Sequence, residues 1–587
     1  MDGAADHFSF GNTLSYALSR VSILSGLIAA CLLLGASDDR RGTAYREAET
    51  GEFTSGHRKM LAILQRIKER APREHLYFGR GVIDEIQAQL DRLGPDATIG
   101  TRLTLLQQLG INRLSYDETP HQAIEVLTEA IQLYSQANLP KAVATRQVTI
   151  TCFYLGLAYL RLGEVDNCCA SHNQHSCIVP IIGGGLHTNE QGSRNAIKYF
   201  GQLLDFFGVQ SQREASKKST RREENLDLRM AALWLLNIAF MTLDEYPDGV
   251  PEKYRISPEF FQSQVEFPRF ENVEPKLNLN TYNHAGGAIV DDFDNDDYLD
   301  IFTTSSDPTI QTRFFRNNQD GTFTDRTEAA GLIGLYGGLN MVQADYNNDG
   351  NVDVYILRGA WMGEQGRHPN SLLRNNGDGT FTDVTFDAGL GEVHYPAKTA
   401  AWADYDNDGD LDLYVANEGD HSVHRNSVRQ LSAPAQLFRN NGNGTFQDVA
   451  RQANVRIERF AMGTVWGDYN GDRFPDIFVS GNFAGQVGLT LFRSNGDGTF
   501  TDVARTVGFN RPRLSWAGWF WDFDNDGALD LYVANACGDV SVLALYAISE
   551  QTTREGRDHV HVRSRDGRTR MYEMPALYRG DGRRRIC

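Results

Sequence analysis

The chain has no surplus of basic residues, which excludes one broad class of partner. Its 587 residues include 57 Lys and Arg against 76 Asp and Glu, so the formal net charge is −19. A nucleic-acid-binding protein needs a basic patch or stripe, and nucleic acid is therefore not expected as a partner. The length exceeds that of one ordinary domain, so two or more hydrophobic cores are expected.

The chain also lacks the short motifs of two common hydrolase classes. It has no His-Glu-x-x-His, and no Gly-x-Ser-x-Gly with the flanks of a nucleophile elbow. This favours a binding module over an enzyme, and no catalytic residue is predicted. An enzyme is kept as the alternative function, because a fold alone does not decide between catalysis and binding.

Long apolar runs are scarce, and the one near the amino terminus is short for a membrane span. Arg20 precedes residues 21–36, which are mostly apolar and end in small residues before Asp38. This pattern is typical of a signal peptide. Residues 1–37 are therefore predicted to be a signal peptide or a membrane anchor, with any membrane attachment through the amino terminus only. The protein is expected to be exported, and so periplasmic, on the cell surface or secreted.

A nine-residue acidic stretch, of which DYDNDGDLD is the clearest copy, occurs five times in the second half of the chain. The copies begin at Asp292, Asp345, Asp404, Asp468 and Asp522. Oxygen-bearing side chains at positions 1, 3, 5 and 9 can supply most of the six to eight oxygen ligands that Ca²⁺ takes. One such copy would also suit an acidic surface turn, but five sets of mutually repelling carboxylates favour a bound cation. Calcium is therefore the predicted cofactor.

A second unit recurs between the acidic loops and predicts β-hairpins. It occupies residues 315–325, 373–383, 438–448 and 492–502, and its centre reads Asn-Gly-Asp-Gly or a close variant. Gly and Asn tolerate the positive φ that tight hairpins require. Each period thus reads as loop, strand, hairpin and strand, and a spacing of 53 to 64 residues between loops suits a four-stranded blade.

Residues 59–245 are predicted to form a helical, tetratricopeptide-like domain. Apolar residues recur on one helical face within 123–134, and Leu155-Gly156-x-x-Tyr159 matches the centre of the tetratricopeptide signature. A generic helical array is the alternative. Residues 246–267 are rich in proline and turn residues and are predicted to be a linker.

One segment of the helical domain, residues 167–192, breaks the helical pattern and contains three of the seven cysteines and three of the fourteen histidines. Three interpretations stay open for Cys168, His172, Cys177 and His187. A disulfide would join Cys177 to Cys168 or Cys169 in an exported chain. A site for one transition metal is the second interpretation, and the alternative function is then a copper, zinc or iron enzyme. Ordinary loop residues are the third.

The acidic loops and hairpins together resemble the FG-GAP/VCBS repeats of integrin-α-type β-propellers, and look most like those of the cartilage acidic protein family and its bacterial relatives. The resemblance covers about residues 267–546. It implies a multidomain α and β fold, with the helical domain followed by a β-propeller at 268–587 whose last blade is truncated. It also implies a binding or adhesion module with a protein or glycan ligand.

The resemblance further implies which side chains bind calcium. They are Asp292, Asp294, Asp296 and Asp300; Asp345, Asn347, Asp349 and Asp353; Asp404, Asp406, Asp408 and Asp412; Asp468, Asn470, Asp472 and Asp476; and Asp522, Asp524, Asp526 and Asp530.

Two positions depart from the family pattern, and one segment near the carboxyl terminus extends it. Asp297 and Arg473 replace the glycine at position 6, where a sharp turn favours positive φ. Because Arg473 places a cation beside the fourth loop, that loop is expected to bind calcium most weakly. Residues 577–579, followed by Gly-Asp-Gly, look like the beginning of a fifth hairpin unit.

Overall fold

The computed structural model describes residues 54–75, 79–94, 97–116, 120–136, 141–171, 173, 175–176, 178–213, 221–262, 273–279, 281, 283–418, 433–458, 460–482, 488–509, 515–535, 551–555, 559–563, 569–573 and 576–578. A helical region precedes a series of antiparallel sheets. This order confirms the predicted sequence of helical and strand regions. The closure of the sheets into a propeller and the tetratricopeptide-like character of the helices stay predictions. The predicted signal peptide lies outside the described residues.

Seven α-helices form the helical region among the described residues. They are α1 (Ser55–Glu74), α2 (Gly81–Asp91), α3 (Ile99–Tyr116), α4 (His121–Gln136), α5 (Lys141–Gly163), α6 (Gln191–Arg213) and α7 (Arg221–Met241). A π-helical turn, Glu164–Cys169, directly continues α5.

Four sheets of one plan follow. Their strands are β1 (Ala288–Asp291), β2 (Asp300–Thr303), β3 (Arg313–Asn317), β4 (Phe323–Asp325); β5 (Asn340–Ala344), β6 (Asp353–Leu357), β7 (Ser371–Asn375), β8 (Phe381–Asp383); β9 (Ala397–Ala403), β10 (Asp412–Asn417), β11 (Gln436–Asn440), β12 (Phe446–Asp448); β13 (Phe460–Gly467), β14 (Asp476–Asn482), β15 (Thr490–Ser494) and β16 (Phe500–Asp502). In each sheet the strands pair in chain order. The acidic loop joins the first two strands and the hairpin joins the last two, as the sequence predicts.

A fifth sheet repeats the first three strands of this plan. It contains β17 (Ser515–Trp521), β18 (Asp530–Asn535) and β22 (Ala576–Tyr578), whereas β19 (Gln551–Glu555), β20 (His559–Arg563) and β21 (Thr569–Glu573) form a sheet of their own. Leu531 pairs with Tyr578 in the register in which Leu413 pairs with Phe438. The segment predicted to begin a fifth hairpin therefore occupies the third-strand position.

The hydrophobic cores lie between successive sheets. The aromatic residue at loop position 2 is central to each: Tyr405 of the third sheet packs against Trp466 and Phe500 of the fourth, with ring centroids 6.4 and 5.8 Å apart. Such aromatic pairs contribute about 0.5–1.5 kcal/mol beyond the burial of their area. The first strands of successive sheets also contact one another, so the sheets stack in series.

Buried asparagines join successive sheets by hydrogen bonds. Asn440, at the end of β11, donates from Nδ2 to the carbonyl oxygens of Tyr346 (2.8 Å) in the preceding sheet and Leu411 (3.2 Å) in its own. Asn375 makes the equivalent bond to Phe293 O at 2.8 Å. One side chain thus satisfies carbonyls of two repeats.

Helix α1 packs against the first two sheets. Thr54 caps its amino terminus by accepting a hydrogen bond from His57 N (3.1 Å). Met60, Leu64 and Ile67 follow at helical spacing and are buried in the same core as residues of β1, β2 and β6. The imidazole of His57 accepts a hydrogen bond at Nδ1 from Asp383 N (3.0 Å), at the end of β8. Part of the amino-terminal helical region therefore stabilises the sheets.

The remaining helices share cores of their own, into which part of the predicted linker also packs. Asn237 on α7 is fully buried; its Nδ2 donates to Tyr254 O (2.9 Å) and its Oδ1 accepts from Ile256 N (3.1 Å). Tyr254 belongs to the helical core. Among the described residues the stretch Gln147–Cys169 is long and apolar enough to cross a membrane, but 67% of its most apolar window is buried in the protein, as in a core helix.

The inter-sheet hydrogen bonds of Asn440 are testable by substitution. We expect Asn440→Ala to lower the free energy of unfolding by about 1–3 kcal/mol, because buried carbonyls lose their donor. The neighbouring Asn441 is exposed and donates to Thr445 Oγ1 within its own hairpin, so Asn441→Ala is the matched control. Denaturant unfolding of both variants gives the comparison, and equal losses would contradict the assignment.

Candidate calcium sites

The first aspartate of each acidic loop closes the loop onto itself. In the third loop, Asp404 accepts hydrogen bonds from Asp408 N and Gly409 N, both at 3.0 Å. The same two bonds, from positions 5 and 6 to position 1, occur in the other four loops. This repeated geometry holds positions 1 to 6 of each loop in one tight turn.

The ninth aspartate ties the loop to the sheet. Asp412 is fully buried, and its two oxygens accept from Tyr405 N (3.2 Å) at loop position 2 and from Asn440 N (2.8 Å) on the third strand. Equivalent pairs occur in the first, second and fourth loops. The ninth position therefore has a structural role in addition to any role as a ligand.

Two left-handed residues give each loop its sharp turn. In the third loop these are Asn407 (φ 59°) and Gly409 (φ 93°), at positions 4 and 6. Asp297 and Arg473, which replace the position-6 glycine in two loops, keep positive φ at 67° and 73°. Position 6 thus keeps its left-handed backbone without glycine. The left-handed backbone at position 4 was not predicted from the sequence.

Three of the loops bring carboxylates into one metal-sized cluster. Ligand oxygens within 4.8 Å of one another belong to Asp292, Asp294 and Asp300; to Asp404, Asp406 and Asp412; and to Asp522, Asp524 and Asp530. The second and fourth loops carry an amide at position 3 instead, in Asn347 and Asn470. Three of the loops therefore gather oxygen donors of the kind that Ca²⁺ prefers, and the other two have oxygen-bearing side chains at the same sequence positions.

Comparison with known proteins agrees with the repeat geometry. Residues 292–356, 359–415, 428–479 and 480–533 match the family described as FG-GAP-like repeat. These are FG-GAP-like repeats. Each match includes an acidic loop or the strands that follow one, so the loops are an integral part of the repeat.

The FG-GAP-like repeats are similar to those of cartilage acidic protein 1. The human protein is 24% identical over 269 residues, which cover 45% of this chain and 37% of the relative. The Xenopus tropicalis protein is 32% identical over 151 residues, covering 25% and 22%. The resemblance seen in the sequence is thereby confirmed. The chain matches less than two fifths of the length of these relatives.

Burial raises the pKa of the ninth-position aspartates in the first four acidic loops. The pKa rises to about 7 for Asp353, Asp412 and Asp476 and to about 6 for Asp300, with neighbouring loop aspartates adding to the effect. Because the ordinary value is about 3.9, these groups bind protons more tightly in the folded chain. Without a cation, stability is therefore lost as the pH rises through about 4 to 7.

An arginine contacts the carboxylates of the first loop. Arg316, on β3, donates from Nε to Asp294 and from Nη2 to Asp296 (3.0 Å). A cation beside an acidic loop was predicted only for the fourth loop, through Arg473, and Arg316 was not predicted. The signal was present, because an arginine occupies the same position in each of the four hairpin units, as Arg316, Arg374, Arg439 and Arg493.

Asparagines at loop position 4 connect successive loops. Each of the first three donates from Nδ2 to the position-6 carbonyl of the next loop. The pairs are Asn295 with Gly350 (3.3 Å), Asn348 with Gly409 (3.2 Å) and Asn407 with Arg473 (3.3 Å). The fourth loop has Gly471 at this position and so has no side chain to continue the series. These hydrogen bonds therefore connect the first four acidic loops in series.

The structure also brings together two of the four residues singled out in segment 167–192. Cys168 Sγ lies 3.3 Å from His187 Nε2, and both residues are buried. His172 and Cys177 lie outside the described residues. The disulfide and metal interpretations of this segment stay predictions.

Arg316 contacts the carboxylates that a calcium ion would use in the first loop, so its removal should strengthen calcium binding there. We expect Arg316→Ala to raise the calcium affinity of one site by up to about fivefold, the effect of losing a half-exposed ion pair. Arg313, on the same strand, pairs with Asp325 away from the loop, so Arg313→Ala is the control. Calorimetric calcium titration should separate the two variants, and identical titrations would contradict the competition.

Asp406→Asn should change stability in opposite directions with and without calcium. Asp406 Oδ1 is buried and has no hydrogen-bond partner among the described residues, and burial and neighbouring aspartates raise its pKa. In chelator the neutral amide should stabilise the fold, because it removes one of several mutually repelling charges. With calcium, loss of a charged ligand should destabilise it by about 1–3 kcal/mol.

Glu458→Gln is the control for this change of charge, since Glu458 is exposed and paired with Arg456 outside the loops. Urea unfolding of each variant is measured in calcium and in chelator. An effect of the same sign in both buffers would show that Asp406 is not a calcium ligand.

Proposed function

We propose that the protein is an exported, calcium-stabilised β-propeller that binds a protein ligand. The observation that carries this proposal is the recurrence of one oxygen-rich loop geometry in five successive repeats. FG-GAP-like repeats and similarity to cartilage acidic protein 1 support it. Stacked sheets whose first strands contact one another are also the arrangement expected around a propeller axis.

Calcium is the ion that the loop residues fit best. Asp294 and Asp406 occupy position 3 in their loops, and the Oδ1 atom of each is buried without a hydrogen-bond partner among the described residues. A cation bound between the loop carboxylates would satisfy these oxygens and offset the repulsion among them. Export supports the assignment, because extracellular calcium modules function with affinities of about 10⁻⁴–10⁻³ M.

The ligand site that we propose is a cleft of about 550 Å³ between α1 and loops of the first two sheets. Arg66 and Arg70 on α1 and Arg367 on the opposite side line it, with Glu69 and Glu74. Arginines outnumber carboxylates there, although the chain as a whole has a formal charge of −19. The cleft is therefore a local site of positive charge.

A buried arginine lies beside the cleft, with the buried Asp383 as its nearby opposite charge. Arg358 is 2% exposed and donates to Tyr336 O, Pro369 O and Ser371 Oγ, while its Nη2 has no hydrogen-bond partner among the described residues. It lines a small cavity that shares Pro308, Met362 and His368 with the cleft. A guanidinium in this position favours an acidic segment of a protein partner over a neutral glycan.

Binding of a synthetic acidic peptide tests the proposal. In calcium-saturated buffer we expect oligo-aspartate to bind, oligo-lysine not to bind, and Arg70→Glu/Arg367→Glu to weaken oligo-aspartate binding by about tenfold or more. Arg451→Glu/Arg505→Glu, which reverses two exposed arginines elsewhere on the sheets, is the matched control. Fluorescence anisotropy gives the affinities.

Two outcomes would contradict the proposal. Equal weakening in both double variants would show that peptide binding depends only on the net charge of the protein. Binding on a glycan array without binding of oligo-aspartate would assign the module to carbohydrate ligands.

A further inference from the structure

Four segments of the helical region converge on one buried imidazole. His187 follows a 3₁₀ turn at Gly183–Gly185 and is 7% exposed. Its Nε2 faces Cys168 Sγ on the π-helical turn after α5 (3.3 Å), and its Nδ1 faces Ser193 Oγ at the start of α6 (2.8 Å). Ser193 in turn contacts Thr242 Oγ1 after α7 (2.7 Å). Nothing in the proposed calcium-dependent function uses this cluster.

The hydrogen bonds fix which nitrogen of His187 carries the proton. The hydroxyl of Thr242 donates to Ala239 O (2.8 Å), so it can only accept from Ser193. Ser193 has then used its single proton and must accept from His187 Nδ1–H. The remaining ring nitrogen, Nε2, therefore presents its lone pair to Cys168 Sγ. Burial supports the neutral ring, since it lowers the pKa of His187 to about 4.

Two glycines make room for this arrangement. A Cβ on Gly163 would lie 3.0 Å from His187 Nδ1 and 3.3 Å from Ser193 Oγ. A Cβ on Gly192 would lie 2.3 Å from Gly163 N, so the end of α5 and the start of α6 can meet only without side chains there. The π-helical turn then positions Cys168, and such turns occur frequently at functional sites.

A thiol sulfur and an imidazole lone pair that lie this close, as in an S–H···N hydrogen bond, are also able to bind one metal ion together. In tetrahedral zinc coordination, with Zn–S near 2.3 Å and Zn–N near 2.0–2.1 Å, ligand sulfur and nitrogen are separated by about 3.5 Å. The observed separation of 3.3 Å is close to that value. Ser193 holds the far side of the imidazole, as outer hydrogen-bond partners of metal-bound histidines do.

Acidic groups near the pair would offset the charge of a cation. Glu164 and Asp166 lie close enough to His187 to oppose the effect of burial on its pKa. Glu164 pairs with Arg161 through Oε2 (2.6 Å), while its buried Oε1 has no hydrogen-bond partner among the described residues. The surroundings of the pair are thus polar on the side of the π-helical turn.

We propose that Cys168 Sγ and His187 Nε2 are two ligands of a soft or borderline transition-metal ion, Zn²⁺ or Cu⁺. On binding, the S–H bond of Cys168 breaks, a sulfur–metal bond forms and the proton leaves to solvent. His187 binds through its lone pair and releases no proton. This site is independent of the calcium loops, because its ligands are sulfur and nitrogen and it lies in the helical region.

The test is metal binding by the full chain in calcium-saturated buffer, with zinc chloride as the probe and Cu⁺ under reducing conditions as a second arm. We expect one equivalent of one ion in the wild type, release of one proton per ion, and loss of the ion in Cys168→Ser and His187→Ala. Cys152→Ser, which changes a cysteine within the preceding helix α5, should retain it. Ser193→Ala keeps both ligand atoms and should weaken binding by about 10–100-fold.

Circular dichroism checks that each variant is folded. If a variant does not fold, the release of one proton per bound ion by the wild type still tests whether a thiol is a ligand. Three results would overturn the proposal. They are retention of the ion by Cys168→Ser, a metal-free wild type whose denatured, unreduced form shows blocked thiols, and a metal-free wild type whose thiols are all alkylated. Blocked thiols would leave the disulfide interpretation. Thiols that are all alkylated would leave the interpretation as ordinary loop residues.

Discussion

The fold of each repeat depends on one buried carboxylate. In the first four repeats the ninth-position aspartate accepts hydrogen bonds from the acidic loop and from the third strand at once, as Asp412 does from Tyr405 N and Asn440 N. A buried carboxylate is costly unless its lone pairs are satisfied, so loop and hairpin must form together. This explains why acidic loops and hairpin units alternate in the sequence. Each of them supplies one hydrogen-bond donor to the ninth-position aspartate.

Hydrogen bonds between repeats extend this dependence along the series. Asn407 joins the third loop to the fourth through Arg473 O, and Asn440 joins the third sheet to the second through Tyr346 O. Any change that orders one loop therefore also positions the carbonyl oxygen that accepts the hydrogen bond from the preceding loop. Gly471 cannot make the equivalent bond from the fourth loop, so the coupling of the fifth loop to the others rests on packing between the sheets.

Features that repeat in the sequence were predictable, whereas contacts between distant segments were not. The acidic loops, the hairpins and the strand at 576–578 could be read because each constrains its own backbone through local turn chemistry. The position of α1 could not, since its apolar face at Met60 and Leu64 fits a sheet as well as another helix. The contact of Cys168 with His187 depends in the same way on the meeting of α5 and α6 at Gly163 and Gly192.

The two candidate metal sites differ in the hardness of their ligands, and this difference decides which ion each can take. The acidic loops offer carboxylate and amide oxygens, which suit Ca²⁺ and bind soft ions poorly. Cys168 and His187 offer sulfur and nitrogen, which hard cations do not favour. A substitution that removes a loop oxygen leaves the sulfur and nitrogen of the helical region in place, and the reverse also holds. The stability of the sheets and the role of the helical region are therefore separable by experiment.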